Sequence, residues 1–298
     1  MRNNLGNVLR DLERWPEAAA SYAEAAALAP EDVPIHANLG AVLCLWAESD
    51  PTAAAAAARA WAEQHPSQPI AQHLAAALGG QTPPVRAADD FVRQVFDCFA
   101  SEFDARLAEL DYRAPALLAE ALEAVGLEAE GTLAVLDAGC GTGWCRTFLR
   151  PRARHLAGVD LSPGMLAAAA RAGDYDQLIE AELTAFLAEW PARFDLIVAA
   201  DVLCYFGELG PVAVAAAGAL RPGGWLAFTV EEGEGGATLG PQGRYRHGAD
   251  YVAGCLAAAG LGLVYRRQAV LRREGGRAVA GLVLVGRKED THYGTSHN

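Results

Sequence analysis

Lysine is all but missing from this 298-residue chain: Lys288 is the single one, and arginine supplies the rest of the basic side chains. Beside so much alanine, that bias reads as genomic composition rather than function. Positive charge is scarce too, with 24 basic against 37 acidic residues and a formal net charge of -13. A nucleic-acid binder needs a basic face to neutralise phosphates, so no nucleic-acid partner is expected. The local group Arg266, Arg267, Arg272, Arg273 and Arg277 reads as a solvated hairpin. No run of about 18 uncharged apolar residues is present, which argues against a membrane partner. Met1 to Gly6 lack the apolar stretch of a signal peptide. The six cysteines form no C-x-x-C pair and no zinc spacing, so reduced thiols in a cytoplasmic protein, and no metal, are expected. With 52% hydrophobic and 20% charged residues, the composition is that of a globular protein.

What is there begins with a repeat. Leu5-Gly6-Asn7-Val8-Leu9 returns as Leu39-Gly40-Ala41-Val42-Leu43, 34 residues on, which is the tetratricopeptide (TPR) period. Ala18 and Tyr22 stand where the second helix of such a repeat packs, and Pro30 closes it. Ala54, Ala58 and Pro66 follow in a second copy that carries an insertion near Ser49-Asp50-Pro51. A further helix is expected from Pro69 to Leu78, and Gly79 to Pro84 reads as a linker. Residues 1–80 thus resemble an all-α TPR module. It is either a platform for a protein partner or substrate, or a structural appendage for docking or self-association.

Residues 81–298 read differently. Lead-in helices are expected over about 87–126, with Phe91, Val95, Phe99, Phe103 and Leu107 at intervals of four in one amphipathic helix. Strand and helix patterns then alternate, as in a parallel sheet covered on both faces. Strands are expected at 133–136, 156–159, 177–180, 194–200 and 225–230. Two more, 263–271 and 278–285, turn at Glu274-Gly275-Gly276 and give the sheet an antiparallel member.

The sharpest signal follows the first strand: Asp137-Ala138-Gly139-Cys140-Gly141-Thr142-Gly143. Glycines there let the backbone turn tightly and approach a ligand. A dinucleotide fingerprint needs a third glycine five residues after Gly139, where Trp144 stands. Asp160, ending the second strand, offers a carboxylate to both hydroxyls of a ribose.

Together with Gly158-Val159-Asp160-Leu161-Ser162-Pro163-Gly164-Met165, Phe194 to Phe206 and Leu220 to Phe228, these motifs resemble class I S-adenosylmethionine-dependent methyltransferases, in particular the bacterial TPR-repeat methyltransferases. The resemblance implies a Rossmann-like α/β fold and S-adenosyl-L-methionine as cofactor, with S-adenosyl-L-homocysteine as product. It implies that Gly139, Cys140, Gly141 and Gly143 line the methionine moiety, with Asp137 supporting that loop. Asp160 would bind the ribose, Leu161 and Met165 the adenine face, and Glu182, with Leu183, the adenine amino group. Asp201 would face the transfer region, and Tyr112 would close over the cofactor.

For the acceptor side, His247 is a candidate general base near neutral pH. Tyr245 joins it in a glycine-rich segment, 233–247, expected as a mobile lid, and Tyr205 lines the pocket. The expected function is methyl transfer to a small metabolite or natural-product intermediate. The alternatives are a protein or peptide acceptor recruited by the TPR module, a non-catalytic adenosylmethionine-binding scaffold, and an NAD-dependent oxidoreductase, which the missing third glycine disfavours.

Overall fold

Aspartate followed by proline starts two of the N-terminal helices. In the computed structural model, which describes residues 1–79 and 82–290, α3 (Val33–Ser49) is capped by Asp32, whose carboxylate accepts from the Ile35 amide. Asp50 does the same for Ala53 at the head of α4 (Pro51–Gln64), with the N–O distance 3.0 Å. An Asp cap fills an orphan donor, and proline at the first turn gives up no hydrogen bond. The expected insertion near Ser49-Asp50-Pro51 falls where α3 ends and α4 starts. Around these lie α1 (Arg2–Asp11), α2 (Trp15–Leu28), α5 (Pro69–Gly79) and α6 (Asp89–Phe99).

These helices form one compact unit, residues 1–99 with 205–207 and 238–245. Ala18, Tyr22, Ala54 and Ala58, singled out by the repeat, are all fully buried. Gly6 and Gly40 are points of close approach: a Cβ on Gly6 would lie 2.6 Å from the Tyr22 ring, and one on Gly40 2.5 Å from Leu74. Buried His36 accepts from the Trp61 indole at 3.1 Å through Nδ1, while its Nε2 lies 2.9 Å from the Pro30 carbonyl. The added segments are pinned within the unit. Ala87 N–H donates to Tyr205 O at 2.8 Å, and His73 Nε2 lies 2.8 Å from Gly243 O.

The second unit comprises residues 100–204, 208–237 and 246 onward. Helices α7 (Phe103–Glu109) and α8 (Ala114–Ala124) precede the strands β1 (Leu133–Ala138), β2 (Ala153–Asp160), β3 (Gln177–Glu180), β4 (Phe194–Ala199), β5 (Leu220–Glu232), β6 (Ala237–Leu239), β7 (Tyr245–His247), β8 (Leu261–Glu274) and β9 (Arg277–Lys288) along the chain. The parallel strands run in the order β3-β2-β1-β4-β5. β9 joins β5 antiparallel and β8 joins β9, as the C-terminal hairpin suggested. The crossovers are α9 (Arg146–Leu149), α10 (Pro163–Ala172), α11 (Leu183–Glu189) and α12 (Leu209–Ala219), with α13 (Ala249–Ala258) before β8. β1 and β4 are almost wholly buried, the pattern of parallel strands covered on both faces. The apolar layer between α8 and the sheet includes Leu118, Val135, Leu156, Val198 and Val283.

Residues 91–110 are two helices, α6 and α7, broken at 100–102. A spacing of four overshoots the 3.6-residue turn by about 40° per step, so a straight helix would carry Leu107 far round from Phe91. The segment 233–247, expected as a mobile lid, contains β6 and β7. Its end forms β7, in which Tyr245, Arg246 and His247 alternate buried, exposed, buried, and Arg246 and His247 pair with Glu231 and Glu232 of β5. Gly80 and Gln81 of the expected linker lie outside the described residues.

Candidate active site

The turn after β1 is built from glycines at positive φ: Gly139 (67°), Gly141 (53°) and Gly143 (93°), a region that side chains disfavour. Its faces differ. A Cβ on Gly139 would strike Val202, and one on Gly143 would lie 3.1 Å from the Tyr175 ring, whereas Gly141 has no protein atom within 4 Å of that position. The loop is tied down by Gly139 and Cys140 N–H donating to Val159 O, at 2.8 and 3.0 Å. Asp160 holds it from the next strand: one carboxylate oxygen accepts from Gly141 N at 2.9 Å and the other from Ser162 N at 2.9 Å. A carboxylate has about four acceptor positions, so holding the loop and accepting from ribose hydroxyls are compatible.

Beneath the loop, Asp137 is 1% exposed and accepts a 2.6 Å hydrogen bond from the Tyr175 hydroxyl. Burial pushes its carboxyl up to about 7, against the lowering effect of that bond, with Asp160 adding a further push. Burial, then Asp137, also raises the Cys140 thiol, leaving it neutral.

Asp104 of α7 reaches the loop from the lead-in segment, accepting from Thr142 Oγ1 at 2.5 Å and from the Trp144 indole at 2.8 Å. Tyr112 lies edge-on to Trp144, centroids 5.9 Å apart. Its hydroxyl is held well above its usual range by burial and by Asp201. Two backbone bonds lock this segment to β8: Arg113 N to Leu271 O at 2.8 Å and Arg273 N to Leu110 O at 2.6 Å.

At the ends of β4 and β5 the chain buries an ionic cluster. Asp201 has a left-handed backbone (φ 55°). Its N–H donates to Thr229 Oγ1 at 2.9 Å, and its carboxylate accepts from the same hydroxyl at 3.0 Å. Arg272, 5% exposed, bonds Asp201 at 2.6 Å, Glu274 at 2.7 Å and Glu231. Burial pulls the guanidinium pKa down, but the carboxylates outweigh it and keep Arg272 charged. A register shift between Val270 and Arg272 interrupts the β8–β9 ladder at this point, and such bulges re-aim side chains. Arg272 is thus a correction to the solvated-hairpin reading. The signals available were its i+2 partner Glu274 on the same strand face and the acidic residues ending β4 and β5.

The remaining candidates scatter. Met165 is buried, its N–H capped by Ser162 at 3.0 Å, and Leu161 is half-buried. Glu182 caps α11, accepting from Thr184 N at 3.0 Å and Ala185 N at 2.8 Å, with Leu183 buried behind it. Tyr205 packs edge-on to Phe96, and the Tyr245 hydroxyl donates to the Pro84 carbonyl; burial raises Tyr245 to about 12. His247 is fully buried and stacks on Tyr251, centroids 6.0 Å apart.

Against known proteins, residues 136–228 match the methyltransferase-domain family. Human methyltransferase-like protein 27 is 36% identical over 110 residues, 34% of this chain and 45% of that one. The malonyl-[acyl-carrier protein] O-methyltransferase of Enterobacter lignolyticus is 38% identical over 97 residues, 32% of this chain and 38% of that one. The matched stretch therefore spans less than half of these relatives. The N-methyltransferase NodS of Bradyrhizobium japonicum, solved with S-adenosyl-L-homocysteine, superposes with a TM-score of 0.53 at 22% identity, covering 66% of this chain and 98% of that one. The fold is the Rossmann-like methyltransferase fold, and the chain carries a methyltransferase domain. S-adenosylmethionine is that domain's cofactor. Left-handed glycines, open space at Gly141 and a carboxylate at the end of β2 fit it.

Proposed function

We propose that this protein transfers a methyl group from S-adenosylmethionine to a small-molecule acceptor. The observation that carries the reading is the loop Gly139–Gly143 held open by Asp160 through Gly141 N. When bound, the cofactor supplies a methyl on a positively charged sulfur, activated for in-line displacement. The protein's task is then alignment and exclusion of water. Gly139, Cys140, Gly141 and Gly143 line the methionine moiety, Asp137 supports them, and Asp160 takes the ribose hydroxyls. Leu161 and Met165 flank the adenine. Glu182 is already a helix cap, so we assign it to shaping that pocket rather than to a direct adenine bond. Asp201, fixed by Thr229 and Arg272, presents its carboxylate beside the transfer end, and Tyr112 covers it from the lead-in segment.

For Tyr205, Tyr245 and His247, burial and the contacts above support packing roles over proton transfer. The acceptor side is then built by Tyr112, Asp201 and the Arg272 cluster. Small-molecule chemistry is supported by likeness to the ubiquinone biosynthesis O-methyltransferase of Paracidovorax citrulli, 32% identical over 101 residues. The repeat at 34 residues, with Gly6, Gly40 and Ala18 at helix contacts, supports reading the first helices as a TPR-like module. Six free thiols suit a reducing, cytoplasmic compartment. The test is calorimetric titration with S-adenosylhomocysteine, then mass spectrometry of candidate acceptors incubated with labelled cofactor. Binding and label transfer support the reading; a folded protein that binds nothing overturns it.

A further inference from the structure

Tyr175 was not singled out by any motif, yet it lies beneath the cofactor loop and bonds the carboxylate that precedes it. It stands in the turn before β3, and its ring lies under the loop: a Cβ on Gly143 would be 3.1 Å from Cε2, and one on Gly158 3.1 Å from Cε1. Its hydroxyl donates to the buried carboxylate of Asp137 at 2.6 Å. The next residue, Asp176, accepts from Leu156 N at 2.7 Å and so fixes the turn to β2. One side chain thus joins the end of β1, the last glycine of the loop and β2.

We propose that Tyr175 is the positioning residue of the cofactor loop, its ring propping Gly143 and its hydroxyl orienting the Asp137 carboxylate beneath it. The proposal rests on the reading of Gly139–Gly143 as the adenosylmethionine loop. An ionised carboxylate in an apolar enclosure costs several kcal/mol unless donors surround it, and a charge-assisted phenol bond is among the stronger ones. Burial alone drives the Asp137 carboxyl up, and the Tyr175 bond is what draws it back to about 7. Burial and Asp137 in turn raise the Tyr175 phenol far above its usual range, so it stays a donor. The other ionisable groups facing the pair are Asp160 from β2 and Cys140 and Cys145 from the loop and its following turn. Near the Tyr175 ring, Arg146 lies against Gly143 and pairs with Asp174 at 3.7 Å. The cofactor's methionine end carries both an ammonium and a carboxylate; with the ammonium turned toward the Asp137 side of the loop, binding favours the ionised carboxylate.

The experiment uses the full chain and S-adenosylhomocysteine, titrated from pH 6 to 9, with thermal unfolding measured in parallel. In the wild type, affinity is expected to rise through a transition near pH 7, and Asp137→Asn should abolish that transition. Tyr175→Phe keeps the ring and loses only the hydroxyl. It should bind about tenfold more weakly at pH 7, the loss of one charge-assisted hydrogen bond, and should move the transition to higher pH. A Tyr175→Phe profile superimposable on that of the wild type overturns the proposal, as does a wild-type affinity with no transition that depends on Asp137. A lowered unfolding midpoint with unchanged affinity and pH profile also overturns it, because that is the signature of packing alone. A folded wild type that does not bind S-adenosylhomocysteine at all overturns instead the reading on which the proposal rests.

Discussion

Asp160 holds Gly141 through one carboxylate oxygen, and in the proposed site the same carboxylate also takes the ribose hydroxyls. Asp160→Ala should therefore weaken S-adenosylhomocysteine binding by more than one hydrogen bond's share, each charge-assisted bond being worth about 1.5–3 kcal/mol. Calorimetry on the variant checks this, and unchanged affinity would remove Asp160 from the site. Asp137 gives a stability prediction of fixed sign. Its carboxyl is raised from 3.8 to about 7 in the folded protein. Between those values the folded chain keeps a proton that the unfolded chain has released. Its contribution to stability is thus fullest at low pH, falls as pH rises through that window, and levels off above about 7. Denaturant unfolding at several pH values should show that slope flattened in Asp137→Asn. Arg272→Met leaves carboxylates without their shared cation and should cost about 3–5 kcal/mol; a loss under about 1 kcal/mol in denaturant titration would mean that the cluster is solvated. Single residues were legible where chemistry and position coincide, as with Asp160 after β2. Arg272 and Tyr175 were not, because burial of an arginine and the path of a tyrosine ring are settled by packing between distant strands.

Among the elements, the strands were read from apolar runs, and each run became a strand at nearly its expected place, β2, β5, β8 and β9 extending further. Hydrogen bonding lengthened them: the Ala153 end of β2 pairs with Leu133, and the Leu220 end of β5 with Phe194. Interruptions were the harder part. The break between α6 and α7, and the bulge that turns Arg272 inward, both depend on which surface each half faces, which local spacing does not encode. The same holds for 233–247, where glycine content suggested a lid but Arg246 and His247 pair with β5. The glycine loop is the element most exposed to mutation. Gly139→Ala combines a positive φ of 67° with a collision against Val202, so it should shift the loop and lower S-adenosylhomocysteine affinity at least tenfold, about 1.4 kcal/mol. Gly141→Ala meets no neighbour and pays the backbone strain alone, about 1–2 kcal/mol. Equal, wild-type affinities in both would show that the loop is not the binding element.

For the molecule as a whole, every residue assigned to the cofactor lies in the second unit, from Tyr112 to Asp201. The first unit is not one stretch of chain, since 205–207 and 238–245 cluster with residues 1–99. Removing residues 1–80 takes away His73, the partner of Gly243, and part of the layer around Phe91. The truncated protein should therefore unfold at lower temperature while keeping S-adenosylhomocysteine affinity within about threefold, roughly 0.6 kcal/mol. Loss of binding by a truncated protein that still folds would mean that the first unit takes part in the cofactor site. Whether the Gly139–Gly143 loop holds adenosylmethionine and not a dinucleotide is decided by titrating the intact protein with S-adenosylhomocysteine and, separately, with NADH in the calorimeter. The expected result is saturable binding of one S-adenosylhomocysteine per chain and no heat from NADH; binding of NADH with silence toward S-adenosylhomocysteine would contradict it.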